Sequence, residues 1–262
     1  MCDLKMTLFE KKRTLNFAHR GFTLAAPENS MAAFKAAVEL GVDGIEFDVR
    51  TCKSGEVVVF HDPTLARLTD GRGFVKSKTL SELQTLRIKS ANPKLDERIP
   101  TLEEFTAAMK GQVFLNVEIK TKGLPKDHIE NKVVEILRHY GLEYQSIISS
   151  FNPIVLRRIR KIDDQIITGY LLDKNFTFRN SEIPLSRLAG AKAIHFEKTL
   201  VTQRLFDKVR ELGIHSAVWT VNEPAMMRQF VNMGIQVIIS DRPDILKNII
   251  VGKAHANHLN FG

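Results

Sequence analysis

The stretch GIEFDVRTCKSGEVVVFHD, residues 44–62, decides the fold that the sequence predicts. It contains two short apolar runs, and only about seven residues, RTCKSGE, separate them. A crossover between parallel strands takes a dozen or more residues, so these two runs can pair only as an antiparallel hairpin. We therefore expect a hairpin that turns near Lys53 and Ser54.

Outward from this hairpin, short apolar runs alternate with longer amphipathic stretches along the chain. Without the return strand of the hairpin eight runs remain, and most of their connections contain helix-patterned segments such as ENSMAAFKAAVELG and HIENKVVEILRHYG. Eight parallel strands with helical crossovers form a TIM barrel, so we predict an α/β fold with residues 1–262 as one domain. The predicted strands, return strand included, are Leu15–His19, Gly44–Val49, Val57–Phe60, Val113–Ile119, Ser146–Ser150, Ile166–Leu171, Ala193–Phe196, His215–Thr220 and Val237–Ser240.

Residues 63–99, which follow the hairpin, do not fit the repeat of strand and helix. They hold turn-forming Gly, Asp, Ser and Pro residues around one short helical pattern. A connection of this length inside a compact fold is usually a functional loop or a small insertion. We expect this insertion to lie over the mouth of the barrel.

Composition limits the classes of function. The net charge is +8, but the 38 Lys and Arg residues are scattered among 30 Asp and Glu without an aromatic-basic motif, which argues against nucleic-acid binding. A net positive charge favours the binding of anionic small molecules instead. No apolar run approaches the roughly 20 residues of a membrane span, and no secretory signal is visible. We therefore expect no transmembrane segment, a cytoplasmic protein, and reduced thiols at Cys2 and Cys52.

Titratable residues collect where the predicted strands end, which is the edge at which such barrels carry their chemistry. His19 and Arg20 stand at the end of the first strand. In the second strand Glu46 and Asp48 are two residues apart, so the period of two directs both carboxylates to one face. If the hairpin turns as expected, His61 lies opposite Glu46.

The strand VFLNVEIKTKG repeats this spacing, since Glu118 and Lys120 are again two residues apart. Three converging carboxylates, those of Glu46, Asp48 and Glu118, need a cation because burying like charges is costly. Carboxylate oxygens suit Ca²⁺ or Mg²⁺, and the absence of a local HxxxH or HExxH motif argues against structural zinc. The cations of Arg20 and Lys120 then require an anionic ligand, and the guanidinium fork matches phosphate.

The motifs HRG, PENS, EFDVR, VVVFHD and VEIK, in this order, resemble those of the bacterial, cytoplasmic-type glycerophosphodiester phosphodiesterases. The resemblance continues through IPTLEEF, ISSF, WTVN and ISDRP, so it spans residues 15–245. It implies a TIM barrel with a small insertion that cleaves glycerophosphodiesters to sn-glycerol 3-phosphate and an alcohol. The residues that it implies are Glu46, Asp48 and Glu118 as ligands of a divalent metal, and His19 and His61 as paired catalytic histidines.

The chemistry explains these residue types. Cleaving a phosphodiester requires a nucleophile to lose a proton and the departing alkoxide to gain one, and imidazoles can do both near neutral pH. We expect the metal and Arg20 to hold the phosphate between His19 and His61, with Lys120 adding positive charge. The sequence leaves open which histidine is the acid, and whether the nucleophile is water or the glycerol 2-hydroxyl.

The sequence leaves the roles of five further residues open. Glu28 in PENS could reach the mouth, or it could belong to a helix start that Asn29 or Ser30 caps. Trp219 stands at the end of a strand, where it would line the glycerol pocket as a substrate-binding residue or belong to the core. His195 also ends a strand and could point inward.

Two other functions share the same residues. A phospholipase D-like enzyme acting on lysolipids or sphingolipids would be favoured by an apolar lip on residues 63–99, whose Arg, Lys and Asp content favours a small polar substrate. A barrel that binds phosphodiesters without turnover would be favoured by the loss of a histidine or a metal carboxylate, and none is missing. The alcohol group, the metal and the oligomeric state are not determined by the sequence.

Overall fold

A computed structural model describes residues 8–10, 13–121, 127–174 and 190–259, with the backbone alone for residues 10 and 254–259. Within them nine strands form one sheet, and the predicted strands are all present, with ends that agree with the prediction to within two residues. The strands are β1 (Leu15–His19), β2 (Gly44–Thr51), β3 (Val57–Val59), β4 (Phe114–Ile119), β5 (Ser146–Ser150), β6 (Ile167–Leu172), β7 (Ala193–Glu197), β8 (His215–Trp219) and β9 (Val237–Ser240).

Eight of these strands are parallel and close into a barrel, because β1 pairs with both β2 and β9. The strand β3 lies outside this closed set and pairs antiparallel with β2. The predicted TIM barrel is therefore confirmed. The helices of the described residues are α1 (Met31–Leu40), α2 (Leu80–Gln84), α3 (Leu102–Met109), α4 (Ile129–Tyr140), α5 (Pro153–Ile162), α6 (Gln203–Glu211), α7 (Pro224–Met233) and α8 (Pro243–Leu259).

The alternation of side chains along β2 separates the core from the mouth of the barrel. Phe47 faces the helices, where its ring centroid lies 4.0 Å from that of Phe105 in α3 and 6.1 Å from that of Phe34 in α1. Full burial of such a side chain contributes about 1.5–3 kcal/mol to folding. Glu46 and Asp48 take the opposite face, as the period of two predicts, and point into the mouth.

Beneath the mouth, apolar side chains fill the barrel. The ring of Phe17 lies against Gly44 so closely that a Cβ at residue 44 would stand 2.3 Å from it. Phe17 also packs with Phe114, Ile147 and Ile239 in one buried cluster. The charged residues of the mouth therefore stand above a largely apolar barrel interior.

Helix α1 begins and ends on local capping interactions. The hydroxyl of Ser30 accepts a hydrogen bond from the Ala33 N–H at 3.2 Å, so Ser30 is the N-cap. Gly41 ends the helix in the left-handed region at φ 77°. Because Phe34 and Ala37 bury the inner face of α1, the loop between β1 and this helix is anchored at both ends.

The hairpin of β2 and β3 forms as predicted, but its register differs by one residue. Val49 pairs with Val59, and the ladder ends there. The same register would set His61 opposite Phe47. The expectation that His61 lies opposite Glu46 is therefore wrong.

The geometry of the turn explains this difference. Thr51 pairs with Val57, which centres the loop on residue 54 and not between residues 53 and 54. The loop closes through a hydrogen bond of 3.1 Å from the Gly55 N–H to the Cys52 carbonyl, and Gly55 adopts a φ of 102°. Only glycine adopts this conformation readily, so Gly55 determines where the chain reverses.

Residues 63–99 form a small insertion with an apolar core of its own. Leu65, Val75 and Leu83 pack in one cluster with Val58 and Phe60 of the hairpin. At the other end of the insertion, the Glu97 carboxylate accepts a hydrogen bond from the backbone N–H of Ala32 in α1. These contacts place the insertion at the edge of the mouth, on the side of β1 and β2.

Among the described residues, no helix combines the length and the apolar character needed to cross a bilayer.

Candidate active site

The carboxyl ends of β1, β2 and β4 bring together the polar residues of the sequence motifs. Parallel pairing sets His19 beside Glu46 and Asp48 beside Glu118. Lys120 follows directly after β4, and its N–H donates to the Val49 carbonyl of β2. The predicted convergence of these charged residues at one end of the barrel is thus seen in the structure.

Three carboxylates form the centre of the site. Glu46, Asp48 and Glu118 are buried, and one oxygen from each lies within 4.8 Å of the others. Burial and the neighbouring Asp48 charge raise the pKa of Glu46 to about 8. Its Oε2 atom has no hydrogen-bond partner among the described residues and lies 3.8 Å from His19 Nε2. A buried set of oxygen donors with an unsatisfied carboxylate fits a hard divalent cation.

Two cations touch these carboxylates. The Nζ atom of Lys120 lies 2.6 Å from Glu118 Oε1 and 3.1 Å from Asp48 Oδ1. Arg20 Nε lies 3.3 Å from Asp48 Oδ2, and Arg20 Nη1 donates to Glu28 Oε1 at 2.7 Å. Burial raises the pKa of Asp48, but the charges of Lys120 and Arg20 outweigh it and hold that pKa below its usual range. When all three carboxyl groups are ionised, they face two cations and leave the cluster one negative charge in excess.

The backbone at Arg20 and Gly21 turns sharply away from the strand. Arg20 has a φ of 57° and Gly21 a φ of 86°, so both lie in the left-handed region. A Cβ at Gly21 would stand 2.8 Å from Ala33, which confirms that a glycine is needed for this turn. A non-glycine residue held in this region costs on the order of 1–3 kcal/mol, and such residues cluster at functional sites.

His19 is held by residues that follow the last two strands of the barrel. Its Nδ1 lies 2.7 Å from Asp241 Oδ1, and Asp241 Oδ2 accepts a hydrogen bond of 2.7 Å from the side-chain amide of Asn222. The Asp241 N–H in turn donates to Asn222 Oδ1. Burial lowers the pKa of His19, but the hydrogen bond to Asp241 and the charge of Glu46 outweigh it and raise the pKa above its usual value.

His61 has a carboxylate partner of its own. Its Nδ1 lies 2.6 Å from Oδ1 of the adjacent Asp62, and its carbonyl accepts two hydrogen bonds from the Arg50 guanidinium, at 2.7 and 2.9 Å. A hydrogen bond from Arg67 is the main cause that lowers the pKa of Asp62 to about 2. Since Asp62 is therefore ionised, the proton of this contact belongs to Nδ1 of His61. Burial lowers the pKa of His61 itself.

The remaining candidate residues lie around this centre. Trp219 is half-buried, donates from Nε1 to the His195 carbonyl at 3.0 Å, and meets Phe151 edge to face with 5.6 Å between ring centroids. Phe151 also lies under Lys120, whose Nζ is 5.9 Å from the ring centroid. His195 does point into the barrel, but it is fully buried, 3.5 Å from Asn116, and burial lowers its pKa to about 3.

The PENS motif contributes more than a helix cap. Glu28 reaches the mouth, where it binds the guanidinium groups of Arg20 and Arg67. Asn29 donates from Nδ2 to Asp48 Oδ2 at 2.9 Å and has a φ of 57°, so it orients a carboxylate, and Ser30 alone caps α1.

Sequence reasoning missed Asp62, Asp241, Asn222 and Arg67. Two of these had a visible signal, because Asp62 follows His61 directly and Asp241 follows the last strand in the ISDRP motif. Arg67 had none, since its contact with Glu28 joins residues 39 apart in two irregular segments.

Comparison with known proteins identifies the family. The sequence model of the glycerophosphoryl diester phosphodiesterase family matches residues 19–245 of this chain. The glycerophosphodiester phosphodiesterase of Caldanaerobacter subterraneus subsp. tengcongensis is 36% identical over 241 residues, which cover 91% of this chain and 98% of that protein. A glycerophosphodiester phosphodiesterase of Bacillus altitudinis is 30% identical over 236 residues, or 87% of this chain and 94% of that protein.

Solved structures agree with these relatives. A phosphodiesterase of Oleispira antarctica, in complex with the product sn-glycerol-3-phosphate, is 25% identical with a TM-score of 0.83, covering 94% of this chain and 99% of that one. The family match runs from His19, at the end of the first strand, to residue 245, beyond the last strand. The chain belongs to the glycerophosphoryl diester phosphodiesterase family and is an enzyme of that class, a phosphoric diester hydrolase.

Proposed function

We propose that this enzyme hydrolyses glycerophosphodiesters to sn-glycerol 3-phosphate and an alcohol. The observation that carries the proposal is the pair of histidines at the mouth, each with Nδ1 bound to an aspartate, next to three buried carboxylates. The Oleispira antarctica phosphodiesterase, whose structure contains sn-glycerol-3-phosphate as its product, supports the substrate class. A cytoplasmic location, residues 1–262 as one domain and the absence of a nucleic-acid partner stay predictions from the sequence.

Glu46, Asp48 and Glu118 would hold one divalent cation, Ca²⁺ or Mg²⁺. When bound, the ion supplies positive charge that polarises a phosphoryl oxygen and helps to orient the substrate. The charges support this assignment, because the cluster with all three carboxylates ionised has one negative charge in excess and a phosphodiester brings another. A divalent ion makes the filled site neutral.

Arg20 and Lys120 would bind the non-bridging oxygens of the phosphate. Their side chains are 17% and 15% exposed at the mouth, so a ligand can reach both cations while the carboxylates behind them stay buried. Planar guanidinium donors match phosphate oxygens in pairs, and the ammonium acts as a point charge. Trp219 and Phe151, at right angles to each other beside Lys120, would line the glycerol pocket.

His19 and His61 would transfer the protons. Because Nδ1 of each ring is bound to a carboxylate, Nε2 is the atom that each presents to the substrate. One histidine takes a proton from the nucleophile and the other gives one to the departing alkoxide. Either histidine can be the acid, and the nucleophile can be water or the glycerol 2-hydroxyl.

The test is release of sn-glycerol 3-phosphate from glycerophosphocholine by the purified enzyme with Mg²⁺ or Ca²⁺, before and after exhaustive chelation. We expect turnover that chelation abolishes and that either metal restores. Absence of sn-glycerol 3-phosphate with both metals would contradict the proposed reaction, whereas full activity after chelation would contradict only the metal.

One observation favours a lysolipid substrate as a second candidate. Phe74 of the insertion is 51% exposed and Leu24, in the loop after β1, is 63% exposed, so both segments that border the mouth carry a solvent-facing apolar side chain. An apolar lip of this kind suits an acyl chain. If lysolipids are substrates, Phe74→Ser will lower turnover of lysophosphatidylcholine and leave that of glycerophosphocholine unchanged.

A further inference from the structure

Arg67 is a side chain of the insertion that reaches the site. Its guanidinium makes four hydrogen bonds to two carboxylates. Two go to Asp62, from Nε to Oδ2 at 2.6 Å and from Nη2 to Oδ1 at 3.0 Å. The other two go to Glu28, from Nη1 to Oε2 at 2.8 Å and from Nη2 to Oε1 at 2.9 Å.

Each of these carboxylates continues to a residue of the site. Asp62 Oδ1 is bound to His61 Nδ1 at 2.6 Å, and Glu28 Oε1 is bound to Arg20 Nη1 at 2.7 Å. Arg67 is therefore the centre of a chain of charged hydrogen bonds that joins His61 to Arg20. Surface ion pairs usually contribute little, but paired hydrogen bonds from one guanidinium to two carboxylates are geometrically specific.

The two histidines differ in what holds their aspartates. Asp241, the partner of His19, is fixed by the side chain of Asn222 next to the barrel strands. Asp62, the partner of His61, stands in the chain beyond β3, and the hydrogen bonds to its carboxylate come from His61 and from Arg67. The orientation of the His61 ring therefore depends on the insertion, whereas that of His19 depends on the barrel.

We propose that Arg67 is a positioning residue that acts on His61 through Asp62. By holding both oxygens of Asp62 it keeps the His61 proton on Nδ1 and directs Nε2 toward the substrate. The proposal rests on the proposed role of His61 in proton transfer. It makes the insertion a working part of the site, in addition to its place at the edge of the mouth.

The first experiment compares Arg67→Ala with Arg87→Ala in glycerophosphocholine hydrolysis. Arg87 is a matched control, because it also lies on the insertion, is 46% exposed against 48% for Arg67, and pairs with an aspartate, Asp96, that has no part in the site. We expect Arg67→Ala to lower kcat about 10- to 100-fold, by analogy with the range for hydrogen-bond partners that orient the ligands of a metal. KM should stay within about 2-fold, and Arg87→Ala should change neither constant.

Arg67→Lys tests whether the paired donors of the guanidinium are needed or only its positive charge. Lysine keeps the positive charge but offers one point of contact, so it cannot hold two oxygens of Asp62 in a fixed plane. We expect Arg67→Lys to lower kcat nearly as much as Arg67→Ala does. Full recovery of kcat in the lysine variant would overturn the positioning role.

The second experiment does not depend on turnover. Nitrogen-15 NMR of the Mg²⁺-loaded enzyme, with the His61 ring assigned by comparison with His61→Gln, should show a single ring tautomer protonated at Nδ1. We expect Arg67→Ala to give mixed tautomers and Arg87→Ala to match the wild type. An unchanged His61 spectrum together with unchanged kcat in Arg67→Ala overturns the inference. An inactive wild type would refute the proposed function instead, while the spectrum still decides the role of Arg67.

Discussion

His19 and His61 reach the same arrangement by different local means. One is paired with a residue 222 positions away and the other with its immediate neighbour. In both cases the carboxylate fixes the ring and its tautomer, which is the function of the aspartate in other imidazole-based sites. On the proposed mechanism, two imidazoles oriented in this way supply an acid and a base without any further titratable group.

We predict that His19→Ala and His61→Ala each lower kcat by roughly 100-fold or more, the effect of losing a general acid or base. The melting temperature should change little, because both side chains lie at the open mouth. His139→Ala, an exposed histidine on α4, serves as the control and should keep normal turnover. Near-normal kcat in either site variant would refute paired acid–base catalysis.

Arg20→Lys distinguishes a phosphate clamp from a residue that only neutralises Asp48. Losing one of two charge-assisted hydrogen bonds to phosphate should weaken transition-state binding by roughly 1.5–3 kcal/mol, and kcat/KM should fall accordingly. If Arg20 only neutralises Asp48, from which its Nε lies 3.3 Å, metal affinity should change instead. Steady-state kinetics and a calorimetric Mg²⁺ titration on the same variant decide between the two.

Glu118→Gln tests the metal site, because it keeps the shape of the side chain and removes one charge. We expect weaker binding of Mg²⁺ or Ca²⁺, since a neutral amide is a poorer ligand than a carboxylate. Folding should be retained, because the ion pair of Lys120 with Asp48 remains. A calorimetric titration equal to that of the wild type would remove Glu118 from the ligand set.

At the scale of elements, regular patterns were predictable and contacts between irregular segments were not. The period of two in β2 correctly directed Glu46 and Asp48 to the mouth, and the short RTCKSGE link correctly indicated a hairpin. The predicted register of the hairpin was wrong by one residue, because the register depends on the conformation of Gly55, which the alternation of apolar and polar residues does not encode. The contact of Arg67 with Glu28 was out of reach, since neither lies in a periodic segment.

The N-cap of α1 offers a test at this scale. Ser30→Ala removes the acceptor for the Ala33 N–H and should lower the free energy of unfolding by about 0.5–2 kcal/mol. Asparagine, another good N-cap, should restore most of the loss. Urea denaturation of both variants measures the effect, and an unchanged midpoint in Ser30→Ala would show that the hydroxyl contributes nothing.

At the scale of the whole molecule, the closed barrel buries a titratable group beneath the site. The pKa of His195 is lowered to about 3 by burial, whereas an unfolded histidine titrates near pH 6.5. Between these values the unfolded chain binds more protons than the folded one. The contribution of His195 to the free energy of unfolding therefore falls as the pH decreases below about 6.5, by at most about 1.4 kcal/mol per pH unit.

We predict that His195→Gln weakens this dependence. Urea denaturation at pH 7.5, 6.5 and 5.5 should give a smaller decrease in unfolding free energy for the variant than for the wild type, whatever the change at pH 7.5. His139→Gln, on the exposed face of α4, should retain the slope of the wild type. Equal slopes in all three proteins would mean that folding does not lower the pKa of His195.

The pairing of the first strand with the last has a consequence for biosynthesis. Ala18 pairs with Ser240, and only this closure brings Asp241 to His19. A nascent chain still on the ribosome carries Glu46, Asp48, Glu118 and both histidines long before Asp241 is translated. On the proposed mechanism, such a chain cannot orient His19, so hydrolysis begins only after the first and last strands of the barrel have paired, and premature release yields an inert fragment.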